Sequence, residues 1–411
     1  NLFINEKSRN FMKFIMHRKV VLIMQKNELG IYIHIPFCKQ KCYYCDFVSF
    51  VNKEKFIKKY VQTLKKEIES YDLSKYNVTT IYIGGGTPSV IPSEEIGSIL
   101  DKIREKIKNN KTNWNDIEIT IEVNPGAVDK EKLEGYIKSG INRLSIGLQS
   151  TNNKLLKEIG RIHTFEQFLS TYNLVREVGF ENINIDLMIG LPNQRIEDVK
   201  NSLNEVIKLN PTHISVYSLI VEEETKMEEL LNDKKLELPD EELERQMYWY
   251  VKNTLELNGY NHYEISNFSK QDKKSKHNMN CWEQKEYIGF GCAAYSYLND
   301  IRYGNTSDIE KYIDVQDFTN KEKLEKNKIR IIDEIQSLED KKKEYMLLGL
   351  RKTKGVLIQK FKEKYTQNPI FLFREQLEKL VNENLLVIDG DYIRLTNKGL
   401  DFANIVWEEF I

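Results

Sequence analysis

The sequence predicts an α/β fold, with six βα units around a parallel sheet and a small winged-helix-like domain at the carboxyl end. Short β-branched runs alternate with longer amphipathic runs six times before residue 260, which is the pattern of repeated βα units. At 385–395, LLVIDGDYIRL indicates a β-hairpin with an Asp-Gly turn between helical stretches. The length of 411 residues is about twice that of an average domain.

The predicted strands and helices alternate regularly along the chain. Strands are expected at 30–35, 79–83, 117–123, 143–148, 183–187 and 213–219. Helical patterns follow them at 53–70, 93–108, 129–139, 164–178, 196–209 and 240–257. Two architectures fit six such units: an open doubly wound sheet, or a partial barrel related to the eight-unit barrel. In both, functional groups collect at the carboxyl ends of the strands.

The chain divides into four predicted regions. Residues 24–260 form the βα core, 261–334 a polar connecting region that is irregular over 266–286, and 335–411 the carboxyl-terminal domain, closed by a helix at 397–409. Residues 1–23 are expected to be a non-native or disordered extension, because Met24 immediately precedes the first predicted strand. A secretory signal is disfavoured, because basic residues break the apolar run at 11–24 and no cleavage site follows it. The alternative for 1–23 is a targeting or membrane-surface segment.

Charge and cysteine usage narrow the function classes. The chain has 61 Lys and Arg against 62 Asp and Glu, a net charge of −1. This balance excludes a globally basic nucleic-acid binder and an acidic disordered tail. Only five cysteines occur, three of them close together, so we expect no disulfide framework and a reduced, cytoplasmic protein.

Three cysteines follow the first predicted strand in the sequence HIPFCKQKCYYCDF. The spacing of Cys38, Cys42 and Cys45 places three thiols on one loop, where they can hold a single polynuclear centre. Four thiolates would saturate a cubane iron–sulfur cluster, whereas three leave one iron without a protein ligand. A zinc site is the weaker alternative, because no fourth Cys or His lies nearby at finger spacing.

Polar or glycine-rich clusters also follow the next four predicted strands. They are the run Gly84–Thr87, then Glu122, Gln149 and Asp186. Each of them alone is compatible with ordinary turn chemistry. Because the carboxyl ends of parallel strands meet at one rim, we expect them to surround the cysteine loop.

These residues belong to longer motifs that carry a family resemblance. The motifs are YIHIPFCKQKCYYCDF (32–47), IYIGGGTPS (81–89), IEVNPG (121–126), RLSIGLQS (143–150), GRIHT (160–164), NIDLMIGLPNQ (184–194) and YSLIVEEET (217–225). Together they resemble the radical S-adenosylmethionine superfamily. Within it they resemble the family of oxygen-independent coproporphyrinogen dehydrogenases and HemW-type heme chaperones. The resemblance implies a partial (β/α)6 barrel, a [4Fe-4S] cluster bound by the three cysteines, and S-adenosyl-L-methionine.

The resemblance also implies which residues contact S-adenosylmethionine. Glu122 would meet its amino or sulfonium group, Asp186 the ribose hydroxyls, and Arg161 the carboxylate. Ile220 occupies the position that matches the adenine edge in the family. The full implied set is Tyr32, Tyr44, Gly85, Gly86, Thr87, Glu122, Gln149, Arg161, Asp186 and Ile220. No residue is assigned a catalytic role.

Two positions distinguish the branches of this family. The dehydrogenases carry a fourth cysteine two residues after the third, where this chain has Phe47 and the HemW branch has phenylalanine. The HemW branch also carries an HNxxYW motif for which heme binding has been proposed. Here the motif is His277, Asn278, then Cys281 in place of tyrosine, and Trp282. His277 is the candidate axial ligand of heme iron; the alternative is a solvated loop histidine.

The resemblance therefore implies a heme chaperone that binds the cluster, S-adenosylmethionine and heme, and delivers heme to apo-hemoproteins. Cleavage of S-adenosylmethionine would be a switch or a minor activity. The alternatives are an oxygen-independent coproporphyrinogen III oxidase, disfavoured by Phe47, and a radical S-adenosylmethionine methyltransferase. The implied partners are heme, recipient apo-hemoproteins and an electron donor for the cluster. A homodimer stays open, and the neutral charge argues against nucleic acid.

Overall fold

The described part of the chain builds one twelve-stranded sheet and one three-stranded sheet. Our computed structural model describes residues 27–108 and 112–411. The prediction for 1–23 lies outside these residues. Within them, no helix has both the length and the apolarity needed to cross a membrane.

Six parallel strands form the centre of the large sheet. They are β1 (Glu28–Ile35), β2 (Asn77–Gly85), β3 (Glu118–Val123), β4 (Arg143–Gln149), β5 (Asn182–Ile189) and β6 (His213–Ser218). They pair in sequence order, each strand with the next. A doubly wound sheet reverses its strand order at a switch point, whereas a barrel does not. The order therefore confirms the partial barrel that the family resemblance implied.

The six predicted helices all form, and no end differs from the expected one by more than four residues. They are α1 (Ile57–Glu69), α2 (Ser93–Ile107), α3 (Lys130–Ser139), α5 (Phe165–Val178), α6 (Ile196–Leu209) and α8 (Glu241–Leu257). Shorter helices α4 (Asn153–Glu158) and α7 (Lys226–Asn232) lie in the loops after β4 and β6. Single-turn 3-10 helices occupy Glu54–Phe56, Leu73–Lys75, Pro88–Val90 and Trp114–Asp116.

Side chains alternate along each barrel strand between an apolar outer face and a polar inner face. On β1, Ile31 and Ile33 are fully buried in the main hydrophobic core, while Tyr32 donates its hydroxyl proton to His34 Nδ1 at 2.9 Å. On β5, the Asn184 amide donates to Asp186 in the same way, at 2.7 Å. Because successive strand residues point to opposite faces, the helices cover the apolar side and the barrel interior is polar.

Shorter strands extend the sheet on both sides of the barrel. Beside β1 lie β9 (Glu286–Phe290), β10 (Tyr295–Leu298), β11 (Ile301–Asn305) and β12 (Arg330–Ile335); beside β6 lie β8 (Asn267–Ser269) and β7 (Asn261–Glu264). Helices α10 (Ile309–Ile313) and α11 (Lys321–Lys326) connect β11 to β12. The prediction of an irregular segment at 266–286 is wrong, because this stretch holds β8 and helix α9 (Lys276–Trp282).

Helix α9 closes the amino-terminal end of the barrel, and we call it the floor helix. The Ser275 hydroxyl caps it by accepting from the Asn278 N–H, and the Glu118 carboxylate accepts the N–H groups of Lys276 and His277 at 3.1 Å each. A carboxylate at this end is stabilised by the free amides and the helix dipole. The cap fixes the helix under strands β2 and β3.

His277 points from the floor helix into the barrel. Its Nδ1 lies 2.9 Å from the Thr80 hydroxyl, and its ring stacks on Tyr82 with centroids 5.2 Å apart. Burial lowers the pKa of His277 to about 4, and the charge of nearby Arg143 acts in the same direction. The alternative of a solvated loop histidine is therefore wrong; the imidazole is a buried, neutral part of the barrel interior.

The carboxyl-terminal domain has its own hydrophobic core and the predicted hairpin. Its helices are α12 (Leu338–Leu350), α13 (Ile358–Tyr365), α14 (Pro369–Leu372), α15 (Arg374–Asn382), α16 (Asn397–Asp401) and α17 (Ala403–Glu408). Its strands β13 (Val356–Leu357), β14 (Leu386–Asp389) and β15 (Tyr392–Leu395) pair in the order β13-β15-β14. The single predicted helix at 397–409 is two helices, because Phe402 leaves the helical conformation with ψ at 34°.

One arginine joins this domain to the floor helix. The Arg351 guanidinium lies 4.4 Å from the ring centroid of Trp282 and 4.8 Å from that of Trp407. Stacking between two aromatic faces stabilises a weakly hydrated guanidinium. This sandwich ties the floor of the barrel to the last helix of the chain.

We expect Arg351→Ala to lower the free energy of unfolding by about 2 kcal/mol, because both cation–π contacts and the packing of the aliphatic stem are lost. The matched control is Arg374→Ala, whose arginine makes only an exposed ion pair with Glu378 and should cost under about 1 kcal/mol. Denaturant titration followed by tryptophan fluorescence measures both values. Equal losses in the free energy of unfolding for the two variants would contradict a stabilising role for Arg351 between the two tryptophans.

His277→Gln tests the buried neutral imidazole through pH. In the unfolded chain histidine titrates near pH 6.5, so between about pH 6.5 and 4 the unfolded state binds a proton that the folded state does not. The wild type therefore loses up to about 3 kcal/mol of stability over this interval as pH falls, and the glutamine variant does not. The free energy of unfolding of the variant should be below that of the wild type at pH 7, and this deficit should be narrower or reversed at pH 4.5. Unfolding titrations at the two pH values measure it. A deficit that is constant with pH would show that His277 titrates freely.

Candidate functional site

The cysteine loop is closed at its base by backbone pairing. The Cys38 N–H donates to the Phe50 carbonyl at 3.0 Å, and the Phe50 N–H donates to the Pro36 carbonyl at 2.7 Å. His34 Nε2 donates to the carbonyl of Val48 at 2.9 Å, which holds the far side of the loop against β1. The loop after β1 is therefore a fixed frame that carries all three cysteines.

Burial and neighbouring charged groups influence how readily the thiols of this loop lose their protons. Burial raises the pKa of Cys38, and it raises the pKa of Cys45 to about 11. Adjacent unpaired thiolates would thus be costly here, whereas a bound metal centre stabilises the deprotonated form of its ligands. The Arg161 guanidinium donates to Cys42 Sγ at 3.5 Å and supplies positive charge at the loop.

The three cysteines of the loop line one cavity. Among residues 27–108 and 112–411, no three Cys, His, Asp or Glu side chains converge closely enough to hold one metal ion. A donor set of three thiols fits a cubane cluster that leaves one iron open to a further ligand. The choice of this cluster over zinc stays a prediction.

The glycine run at the end of β2 lies directly against the cysteine loop. Gly85 has φ +113°, and a Cβ on it would lie 2.5 Å from the His34 ring; a Cβ on Gly86 would lie 3.0 Å from Cys38 Sγ. A side chain at Gly85 would therefore collide with His34 on β1, and one at Gly86 would collide with the cysteine loop. The glycines allow the backbone of β2 to approach the cysteines and leave its edge open to a ligand.

Two carboxylates face the barrel interior beside this edge. Glu122 accepts from the Tyr82 hydroxyl at 2.9 Å and from the Gly85 N–H at 3.3 Å. Burial raises its pKa to about 7, and the nearby Asp186 carboxylate contributes in the same direction. Burial also raises the pKa of Asp186, while hydrogen bonds from Asn184 and Ser145 oppose the shift. A cationic ligand would favour the ionised form of both groups.

Gln149 adopts a strained backbone conformation at the end of β4. Its φ is +71°, in the left-handed region that non-glycine residues rarely occupy. The register with β5 shifts at the same place, and the Tyr217 hydroxyl donates to the Gln149 side-chain oxygen at 3.1 Å. The strain turns a buried amide toward the cavity.

Arg161 lies across the cavity from the carboxylates. Its Nη2 donates to the Gly147 carbonyl at 2.7 Å and to Asn124 Oδ1 at 2.9 Å. In the described part of the chain it has no carboxylate partner within ion-pair distance. A half-buried guanidinium that is held in place without an anionic partner can bind the carboxylate of a ligand.

One cavity brings most of the sequence-predicted residues together. Its lining includes the three cysteines together with Tyr44, Gly85, Gly86, Thr87, Glu122, Gln149, Arg161 and Asp186. Tyr32 lies behind this lining, with its hydroxyl on His34. Ile220 is 68% exposed and outside the cavity, and His277 lies below it on the floor helix. Contacts of these residues with a ligand stay predictions.

Several cavity residues were missed from the sequence. Asn124 and Tyr217 line the cavity together with Ser145, and Asn184 orients Asp186 from below. Ser145 and Asn184 stand at inward positions of strands that alternate with period two, so the alternation could have identified them. Asn124 follows Glu122 by two positions, and this spacing could have indicated that its side chain faces the same cavity.

Family models match two parts of the chain. The radical SAM superfamily model matches residues 32–206, and the HemN C-terminal domain model matches residues 336–402. Among solved structures, coproporphyrinogen III oxidase (HemN) from Escherichia coli has a TM-score of 0.78 at 22% identity, covering 99% of this chain and 93% of that one. This likeness shows that the two proteins share their fold.

Curated relatives match nearly the whole length of the chain. The heme chaperone HemW of Lactococcus lactis is 39% identical, with 92% of this chain and 96% of the relative covered. The HemW proteins of Bacillus subtilis and Escherichia coli are 36% and 33% identical, covering 92% and 93% of this chain and 98% of each relative. With the cysteine loop and barrel rim described above, these matches show that the chain belongs to the HemW family of the radical SAM superfamily.

Proposed function

We propose that this protein is a heme chaperone that binds a [4Fe-4S] cluster, S-adenosylmethionine and heme, and delivers heme to apo-hemoproteins. The observation that carries the proposal is full-length similarity to proteins named heme chaperone HemW, on a chain whose fourth-cysteine position is Phe47. The Phe47 side chain is 62% exposed at the rim of the cavity. A phenylalanine side chain has no atom that binds a metal, so this position supplies no further ligand.

The cavity suits the two proposed cofactors. Cys38, Cys42 and Cys45 would hold the cluster, whose unligated iron and bound S-adenosylmethionine together would supply one-electron cleavage chemistry. Arg161 would bind the carboxylate of the methionine group, because its guanidinium is held at 2.7 Å on the Gly147 carbonyl and has no carboxylate partner among the described residues. Glu122 and Asp186 would bind the positive charge and the ribose hydroxyls, since both face the same cavity.

The cluster loop leaves a path for an electron donor. Lys39, Gln40 and Lys41 are exposed on the loop between the first two cysteines, and Gln40 and Lys41 also line the cavity. A donor protein could therefore approach the cluster at this exposed part of the loop. A cytoplasmic location agrees with five cysteines that are all unpaired. A homodimer stays a prediction.

The place of heme is constrained by the floor helix. His277 is buried and its Nδ1 is engaged by Thr80, so ligation of heme iron by this imidazole requires the floor helix to move out of the barrel. Burial raises the pKa of Cys281 to about 11, which keeps its thiol protonated at neutral pH. Axial ligation by His277 stays a prediction, and the chaperone proposal does not depend on it.

Anaerobic reconstitution tests the cluster. We expect about four irons per chain in the wild type and a complete loss of the cluster absorbance in Cys42→Ala, because two thiolates do not retain a cubane. Cys281→Ala is the matched control, since Cys281 lies outside the cavity, and it should keep the full iron content. A full cluster in Cys42→Ala would contradict the assignment.

Heme titration tests the chaperone proposal and the ligand separately. The wild type should develop a Soret band that saturates at a fixed heme ratio. If His277 ligates the iron, His277→Gln should shift or abolish the band, while His163→Gln, at a buried histidine on the opposite rim, should not. Unchanged binding in His277→Gln would move the heme site elsewhere. Failure of the wild type to bind heme at all would refute the chaperone proposal.

A further inference from the structure

We propose that Asn124 is a positioning residue that sets the direction of a hydrogen-bond chain from Arg161 through Thr87 to the Cys38 sulfur. This inference rests on the cluster of the proposed function but not on heme. The sequence motifs assign no role to Asn124. Its position two residues after Glu122 places it at the carboxyl end of β3, on the wall of the cavity.

Four contacts form an uninterrupted chain between the first two cysteines. Arg161 Nη1 lies 3.5 Å from Cys42 Sγ, and Arg161 Nη2 donates to Asn124 Oδ1 at 2.9 Å. Asn124 Nδ2 donates to the Thr87 hydroxyl at 2.9 Å. That hydroxyl lies 3.4 Å from Cys38 Sγ. Asn124 is the central link. Its side chain makes two hydrogen bonds in the structure, one with Arg161 and one with Thr87.

The chemistry of the partners fixes the direction of the chain. A guanidinium only donates, so the carbonyl oxygen of the Asn124 amide must face Arg161 and its NH2 group must face Thr87. The Thr87 oxygen therefore accepts from Asn124, and its own proton is free to point at Cys38. A cysteine thiolate that ligates a metal only accepts. The chain thus leaves Thr87 as a hydrogen-bond donor to the Cys38 sulfur.

Such a donor bears directly on the proposed cluster. Hydrogen bonds to the sulfur ligands of an iron–sulfur cluster stabilise its reduced, more negative state and raise its reduction potential. Without Asn124 the Thr87 hydroxyl is free to rotate away from the sulfur, and the potential should fall. Asparagine is suited to the central position because one short side chain both accepts from the arginine and donates to the threonine.

Asn124 also holds the Arg161 guanidinium from one side. The Gly147 carbonyl holds the same nitrogen at 2.7 Å, so removal of Asn124 leaves one of the two anchors in place. We therefore expect the affinity for S-adenosylmethionine to fall by about tenfold in Asn124→Ala, the loss that corresponds to one hydrogen bond. Cluster assembly itself should survive, because no cysteine is changed.

The test is the reduction potential of the reconstituted cluster, measured by titration with electron paramagnetic resonance detection. Asn124→Ala and Thr87→Val should each shift the potential downward, and the double variant should shift it no further than Thr87→Val alone, because both changes remove the same donor. Asn124→Asp should also shift it downward, since the carboxylate accepts the Thr87 proton and adds negative charge.

Asn152→Ala is the matched control. Asn152 is also half-buried on the barrel rim, and its amide likewise donates at 2.9 Å to Asp198 and accepts at 2.9 Å from the Lys154 N–H. Asn152 lies outside the hydrogen-bond chain from Arg161 to Cys38. The reduction potential of the cluster in Asn152→Ala should therefore equal that of the wild type. Iron content and melting temperature identify any variant that fails to fold.

The outcomes separate this inference from the proposed function. A wild type that assembles no cluster refutes the cluster assignment. A wild type with a normal cluster whose potential is unchanged in Asn124→Ala and Asn124→Asp refutes the role of Asn124. Fully additive shifts in the Asn124→Ala/Thr87→Val double variant would also refute it, because the two residues would then act independently.

Discussion

The alternation of apolar and polar side chains along six parallel strands is the constraint on which the rest of this structure depends. Outward isoleucines and leucines pack under the helices, which forces the intervening residues into the barrel. Most of those residues are polar or glycine, so a network of hydrogen bonds fills much of the interior. The cavity, the strained Gln149 and the buried carboxylates all follow from this division of the strand faces.

Local patterns were sufficient to predict six βα units and the polar clusters at their strand ends, whereas the choice of a partial barrel over an open sheet came from the family resemblance. Strand and helix positions followed from periodicity, and the cysteine spacing with the strand-end clusters indicated a site that the cavity assembles. The floor helix was missed because its fixing contacts are remote in sequence: His277 meets Thr80 across 197 positions, and Glu118 caps the helix across 159 positions. A seven-residue polar helix carries no apolar stripe from which such contacts could be inferred.

The same remote contacts change the meaning of the HNxxCW motif. In this structure His277 and Asn280 bind barrel strands, and Trp282 stacks on the arginine that reaches the carboxyl-terminal domain. The motif therefore couples the barrel interior to that domain. A heme ligand role for His277 would make movement of the floor helix part of heme binding, and would thereby link heme to the cavity proposed to hold the cluster.

Transfer of heme is the measurement that tests the central claim most directly. Heme-loaded protein is mixed with an excess of an apo-hemoprotein that has a distinct Soret band, and the spectrum is followed with and without the reconstituted cluster. The account predicts that the recipient acquires the heme faster than from the same concentration of free heme. Retention of heme by this protein in the presence of the recipient would contradict it. Conversion of coproporphyrinogen III by the reduced protein would contradict it as well.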